Sequence, residues 1–265
     1  MARFLLCVAA ATIVVHVPHV LARADNGEAS FSCTWASLTA DFAGRDAQPQ
    51  TLDPPTEWYR TDAQGHYANH GWGPRAVALP PPVIPQDAGC DSATWKRERI
   101  LAVAMRYVYS PDNPLGLQYR HHHIPAWEPP TSTYAGASSE NPDPDAPPGL
   151  SAWDAGPGLD CSNFTAWVYN YGLGIKFGGN VHQQWDGSAG PMGLRISREG
   201  PFQPGDLIFL HPDATAQQAS HVVIYIDDGH IIDSRVNAQN RLGVQVRNRQ
   251  GWYRDAVLGG WRPIG

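Results

Sequence analysis

The stretch GLDCSNFTAWVYNYGLG, residues 158–174, sets one cysteine at the start of an apolar helical pattern. A thiol there faces the unpaired N–H groups and positive dipole end of a first helical turn, a setting that stabilises thiolate over thiol. The same N–H groups suit the oxyanion of a tetrahedral intermediate. Asp160 and Ser162 are each able to cap that helix end. A sulfur nucleophile needs a base, and SHVVIYIDDGHIIDS, residues 220–234, offers His221 together with Asp233. The combination predicts a nucleophile–base–orienter set: Cys161 attacks, His221 takes its proton, and Asp233 orients the imidazole.

That arrangement depends on strand register. A three-residue loop at 227–229 puts Ile226 opposite His230 and Val223 opposite Asp233, so that Asp233 shares a face with His221. A two-residue Asp228-Gly229 turn instead pairs Asp233 with Ile224 and turns it to the other face. Gly229 suits the three-residue loop, which is the expected one.

The elements that must carry these residues are readable around them. Phe164, Trp167, Val168 and Tyr171 recur at helical spacing, with Gly172 and Gly174 as stop signals. Strand-like runs follow at 206–210, 221–226 and 230–234, with 242–247 and the terminal AVLGGWRPI extending a sheet. Upstream, residues 93–110 place Trp95, Ile100, Ala104 and Tyr107 near one helical face. One helix followed by an antiparallel meander reads as α+β.

The compartment is set by the N-terminus. Arg3, an apolar run over 4–15 and Ala22-Arg23-Ala24 form a secretory signal peptide, too short in its apolar part to anchor in a bilayer. Residues 1–24 are therefore expected to be removed near Ala24 and the chain to be secreted or periplasmic. Four cysteines are encoded. Cys7 leaves with the leader, Cys33 and Cys90 can pair in an oxidising compartment, and Cys161 is the odd thiol, either an intermolecular bridge or a reactive group. Residues 25–92 read as an irregular Pro/Trp-rich segment stapled by that disulfide and wrapped on a main domain over 93–265. A second biased stretch, 128–158, reads as a long loop, and as a lid over the cleft.

In order along the chain, GLDCSNFTAWVYNYGLGI, QPGDLIFL and HVVIYIDDGHIIDS resemble the NlpC-type cell-wall peptidases of the papain-like fold. The resemblance covers roughly residues 95–247. It implies a papain-like core with the cysteine-bearing helix packed on an antiparallel sheet. It also implies hydrolysis of an amide bond in peptidoglycan stem peptides, commonly after γ-linked D-glutamate, without metal or cofactor. By position it makes Cys161 the nucleophile, His221 the base and Asp233 the third polar residue, and it sets Tyr119, Asp160 and Ser162 on the substrate side. Three departures stand out. Asn163 replaces a usual glycine, Asp233 replaces the commonest histidine, and the substrate-side aromatic segment is stretched around Tyr119.

The other chemistry-bearing residues are weaker. Adjacent His121, His122 and His123 alternate faces on an extended strand, which disfavours a metal site. His182 reads as a surface residue near the cleft, and His211 and His230 lack the strand motif of His221. With 19 basic against 25 acidic residues, and Arg3 and Arg23 lost with the leader, the chain has no nucleic-acid-binding balance. No later apolar run reaches membrane-spanning length, so no integral membrane association is expected. Two other functions stay open at this level: a thiol-dependent amidase or acyltransferase on another substrate, and a non-catalytic wall-binding protein. Oligomeric state is not encoded in any pattern.

Overall fold

The computed structural model of the chain describes residues 31–48, 78–119, 158–235 and 243–265. Residues 1–24, expected to form a leader, His121–His123 and nearly all of the 128–158 stretch lie outside them.

The core is a helical layer on a six-stranded sheet. The helices are α1 (Trp35–Thr39), α2 (Phe42–Asp46), α3 (Ser92–Arg106), α4 (Cys161–Leu173), α5 (Val181–Asp186) and α6 (Trp252–Asp255). The strands are β1 (Leu194–Ile196), β2 (Leu207–Leu210), β3 (His221–Asp227), β4 (His230–Ser234), β5 (Val244–Asn248) and β6 (Val257–Arg262). All pairings are antiparallel, in the order β1-β6-β2-β3-β4-β5. The α+β class read from the sequence is the one observed.

α4 is the central element, with every residue buried. A helix buried on every face must lie between other layers. It is flanked by α3 on one side and by β3 and β4 on the other. Gly174 ends it at φ 69°, and a Cβ there would stand 2.4 Å from the Leu79 carbonyl oxygen. Only glycine meets both demands. α3 starts on the Asp91 side chain, which accepts from the N–H groups of Ala93 (2.9 Å) and Thr94 (3.0 Å).

The segment before α3 is more regular than expected, since it carries α1 and α2. Its anchor is Arg99, fully buried, whose guanidinium donates to the carbonyls of Leu38 and Gly172, both at 2.7 Å, and pairs with Asp41. Cys33 and Cys90 are disulfide-bonded across 57 residues, tying α1 to the start of α3. Among the described residues, no helix is long and apolar enough to cross a membrane.

Candidate active site

Cys161 is the first residue of α4 and His221 the first residue of β3. The Cys161 sulfur lies close enough to the His221 ring to act on its proton affinity. Both are nearly covered, at 7% exposure each, and Asp233 behind them is fully buried.

The helix start is locked by Asp160. Its Oδ1 accepts from the Asn163 N–H (2.8 Å) and the Ser162 hydroxyl (3.2 Å), and its Oδ2 accepts from the Asn163 side-chain amide (2.9 Å). This is an N-cap extended by one side chain, and it fixes the backbone that presents the sulfur. Asp160 and Ser162, set on the substrate side by resemblance, are thus engaged in holding the turn. Asn163, expected to crowd it, fits because residue 179 is glycine. A Cβ on Gly179 would fall 1.8 Å from Asn163 Oδ1. From α5, the fully buried Gln184 donates to the carbonyls of Ser162 (2.9 Å) and Gly178 (2.8 Å), buttressing the same turn.

The β3–β4 hairpin reaches the productive register by an unexpected route. Ile224 pairs with Ile232 and Tyr225 with Ile231, so Val223 lies opposite Asp233. The turn itself has two residues, Asp228 and Gly229, between paired Asp227 and His230. That turn alone would carry Asp233 to the wrong face. A bulge between Tyr225 and Asp227 absorbs one residue and restores the alternation.

His221 Nε2 lies 2.7 Å from Asp233 Oδ2, which leaves Nδ1 for the sulfur. Asp233 has two further partners. Arg247 Nε donates to Oδ1 at 2.6 Å, and the Tyr253 hydroxyl donates to Oδ2 at 2.9 Å. Burial pulls the His221 pKa down, but the Cys161 sulfur and the Asp233 carboxylate outweigh it and raise the pKa to about 9. Burial likewise opposes the ionised form of Asp233, yet the His221 and Arg247 contacts hold it below the usual carboxylate range. A raised histidine pKa is the direction that a histidine serving a sulfur nucleophile requires.

The surroundings are aromatic and cationic. The Trp252 ring stands 5.8 Å from the His221 ring, and the Arg235 guanidinium lies 4.2 Å over Trp252. Tyr119 follows Gln118, which bridges to Gly158, and lies near enough to Cys161 and Asp160 to feel their charges. Burial, then the neighbouring charges of Cys161 and Asp160, push its phenol well above the ordinary range. His182 is exposed on α5, His211 bonds within its own loop to Asp213, and His230 pairs with Asp227 at the hairpin turn.

Arg247, Tyr253 and Gln184 escaped the sequence reading. Arg247 had a usable signal, because β5 pairs Gln245 with Asp233, and period-two alternation puts residue 247 on that same face. Tyr253 and Gln184 sit in short helices with no full apolar period to mark them.

Residues 134–260 match the model of the NlpC/P60 family, the family that the sequence motifs resemble. The matched span holds Cys161, His221 and Asp233 but not Tyr119. Among solved structures, the chain is similar to an NlpC/P60 family protein from Bacillus cereus, at 28% identity over 43% of this chain and 33% of that one, TM-score 0.34. It is similar to an NLP/P60 family protein, described as similar to a lipoprotein, from Staphylococcus aureus, at 21% identity over 66% and 43%, TM-score 0.39. A third is the NlpC/p60 domain of the peptidoglycan hydrolase SagA, at 22% identity over 63% and 97%, TM-score 0.37. The chain spans less than half the length of the first two. No curated protein matches it.

Proposed function

We propose that this chain, whose residues 134–260 carry the NlpC/P60 family match, is an exported cysteine hydrolase that cleaves an amide bond in peptidoglycan stem peptides. The observation that carries the reading is the contact of a first-turn cysteine with a carboxylate-anchored histidine of raised pKa.

In this reading the Cys161 thiolate attacks the carbonyl carbon of the scissile amide. The N–H groups at the start of α4 take up the developing oxyanion. His221 then passes its Nδ1 proton to the departing nitrogen as the C–N bond breaks, leaving a thioester on Cys161 and a free amine. Neutral His221 next draws a proton from water. The hydroxide displaces the sulfur, releasing the acid and restoring the thiolate–imidazolium pair. Asp233 holds the ring so that Nδ1, not Nε2, faces the sulfur. No step draws on a metal or cofactor. Tyr119, Asp160 and Ser162 bound the substrate side of this centre.

The test is digestion of purified muropeptides by the leader-free protein, followed by mass spectrometry. New fragments with a free amine, absent with Cys161→Ala, are the expected result. Intact muropeptides with both proteins would overturn the reading. Amide products formed with an added amine nucleophile in place of water would point to an acyltransferase.

A further inference from the structure

Asp233 is an unusual third residue because its charge is not left alone with the histidine. Three donors converge on one fully buried carboxylate: His221 Nε2 from β3, Arg247 Nε from β5 and the Tyr253 hydroxyl from α6. Oδ2 is shared between histidine and tyrosine, and Oδ1 faces the guanidinium. Arg247 also lies 3.4 Å from the carbonyl oxygens of Arg235 and Gly243, so its fork is held from two directions. The Arg235 guanidinium lies 5.5 Å over the Tyr253 ring and 4.2 Å over Trp252.

We propose that Arg247 and Tyr253 are positioning residues that convert Asp233 into a charge-compensated acceptor, so that His221 is oriented firmly but holds its proton loosely enough to give it to a leaving amine. An isolated buried aspartate against an imidazolium would form a tight ion pair. Such a pair favours the charged histidine and resists the proton transfer that expels the amine. A guanidinium on the far oxygen cancels most of that charge while leaving the hydrogen bond in place. The Asp233–Arg247 unit then raises the proton affinity of His221 by less than a lone buried carboxylate would. Tyr253 withdraws further electron density from the oxygen that the histidine uses. This assignment rests on the reading of Cys161 as nucleophile and His221 as its base.

The charged and titratable groups facing this unit come from every packed element. Cys161 on α4 faces His221, and His221 and Arg247 face Asp233. Tyr253 and, behind it, Arg235 close the α6 side, while Tyr119 lies against Cys161 and Asp160.

The experiment is an NMR titration of the His221 imidazole nitrogens in the leader-free protein, assigned by comparison with His221→Ala, beside the rate of Cys161 alkylation by iodoacetamide across pH. Arg247→Gln is expected to raise the His221 midpoint by about one pH unit, and Asp233→Asn to lower it by about as much. The double variant should return toward the parent value. Arg247→Lys, which keeps the charge, should leave the midpoint near the parent, an outcome that a merely structural role for Arg247 does not produce. An unmoved midpoint in Arg247→Gln overturns the proposal. If that variant does not fold, Tyr253→Phe decides, with a raised midpoint expected and an unchanged one overturning. Failure of the underlying hydrolase reading looks different. There, Cys161 of the parent alkylates with an ordinary thiol profile that His221→Ala does not alter, whatever the histidine midpoints do.

Discussion

His221 and Asp233 stand 2.7 Å apart, Nε2 to Oδ2, although the two-residue turn between their strands would by itself turn them to opposite faces. The bulge next to Tyr225 corrects the count. Local turn chemistry and site geometry disagree by one residue here, and the strand rather than the turn makes up the difference. β3 is able to do so because its pairing with β2, from Leu207–Ile224 to Leu210–His221, is unbroken and holds the start of the strand in place.

The Asp160 carboxylate should matter for both stability and reactivity. Asp160→Ala removes an N-cap and leaves the Asn163 amide and Ser162 hydroxyl to find other partners, at a cost of about 1–2 kcal/mol. Thermal unfolding should show the loss, and Cys161 alkylation at neutral pH should slow. Asp160→Asn, which still accepts at the cap, should recover most of the stability. Equal melting temperatures for the parent and Asp160→Ala would refute the capping account.

The Cys33–Cys90 bridge closes a loop of 57 residues, for which chain entropy suggests stabilisation of about 4 kcal/mol. Cys33→Ser/Cys90→Ser should therefore unfold at lower denaturant. Below its transition it should alkylate at Cys161 as the parent does, because the bridge ties α1 to α3 and not to the site. A changed alkylation profile in the fully folded double variant would contradict that separation.

The histidine also makes stability depend on pH, with a defined sign. Its folded pKa of about 9 lies above the ordinary 6.5, so its contribution is fully present below pH 6.5 and is lost as pH rises through about 9. A few kcal/mol are at stake, because a tenfold change in proton affinity between the folded and unfolded chain is worth about 1.4 kcal/mol. Asp233 works oppositely, since its depressed pKa contributes above the ordinary 3.8 and is lost as pH falls through the folded value. Denaturant unfolding of the parent should weaken between pH 7 and 10, and His221→Ala should flatten that decline. An equal decline in both proteins would count against a charged His221.

Gly174 gives a steric prediction. With φ at 69° and the Leu79 oxygen 2.4 Å from the position of a Cβ, Gly174→Ala should destabilise by more than about 1 kcal/mol. Urea titration checks it, and a neutral result would mean that the end of α4 relaxes freely.

Cys161 and His221 were legible as candidates because their signals are local. A cysteine before Phe164, Trp167 and Tyr171 announces a buried helix start, and an apolar run opening at His221 announces a strand. Asp233 was legible through parity, although the turn expected there was the wrong one. The parts that stayed hidden depend on tertiary contact. Arg247 and Tyr253 reach Asp233 from 14 and 20 residues away; strand alternation marks only the face of Arg247, and nothing local marks Tyr253. α1 and α2 have five residues each, less than two helical turns, and depend on Arg99 and Arg45 reaching backbone carbonyls across the packed interface. A three-residue β1 likewise has too little alternation to be read.

The most direct test of the account is the rate of Cys161 alkylation across pH in the protein lacking residues 1–24 and in its His221→Ala variant. A thiolate–imidazolium pair predicts a fast rate that persists well below pH 8 in the parent and disappears in the variant. A slow rate that follows an ordinary thiol titration and is unchanged by the substitution would contradict it.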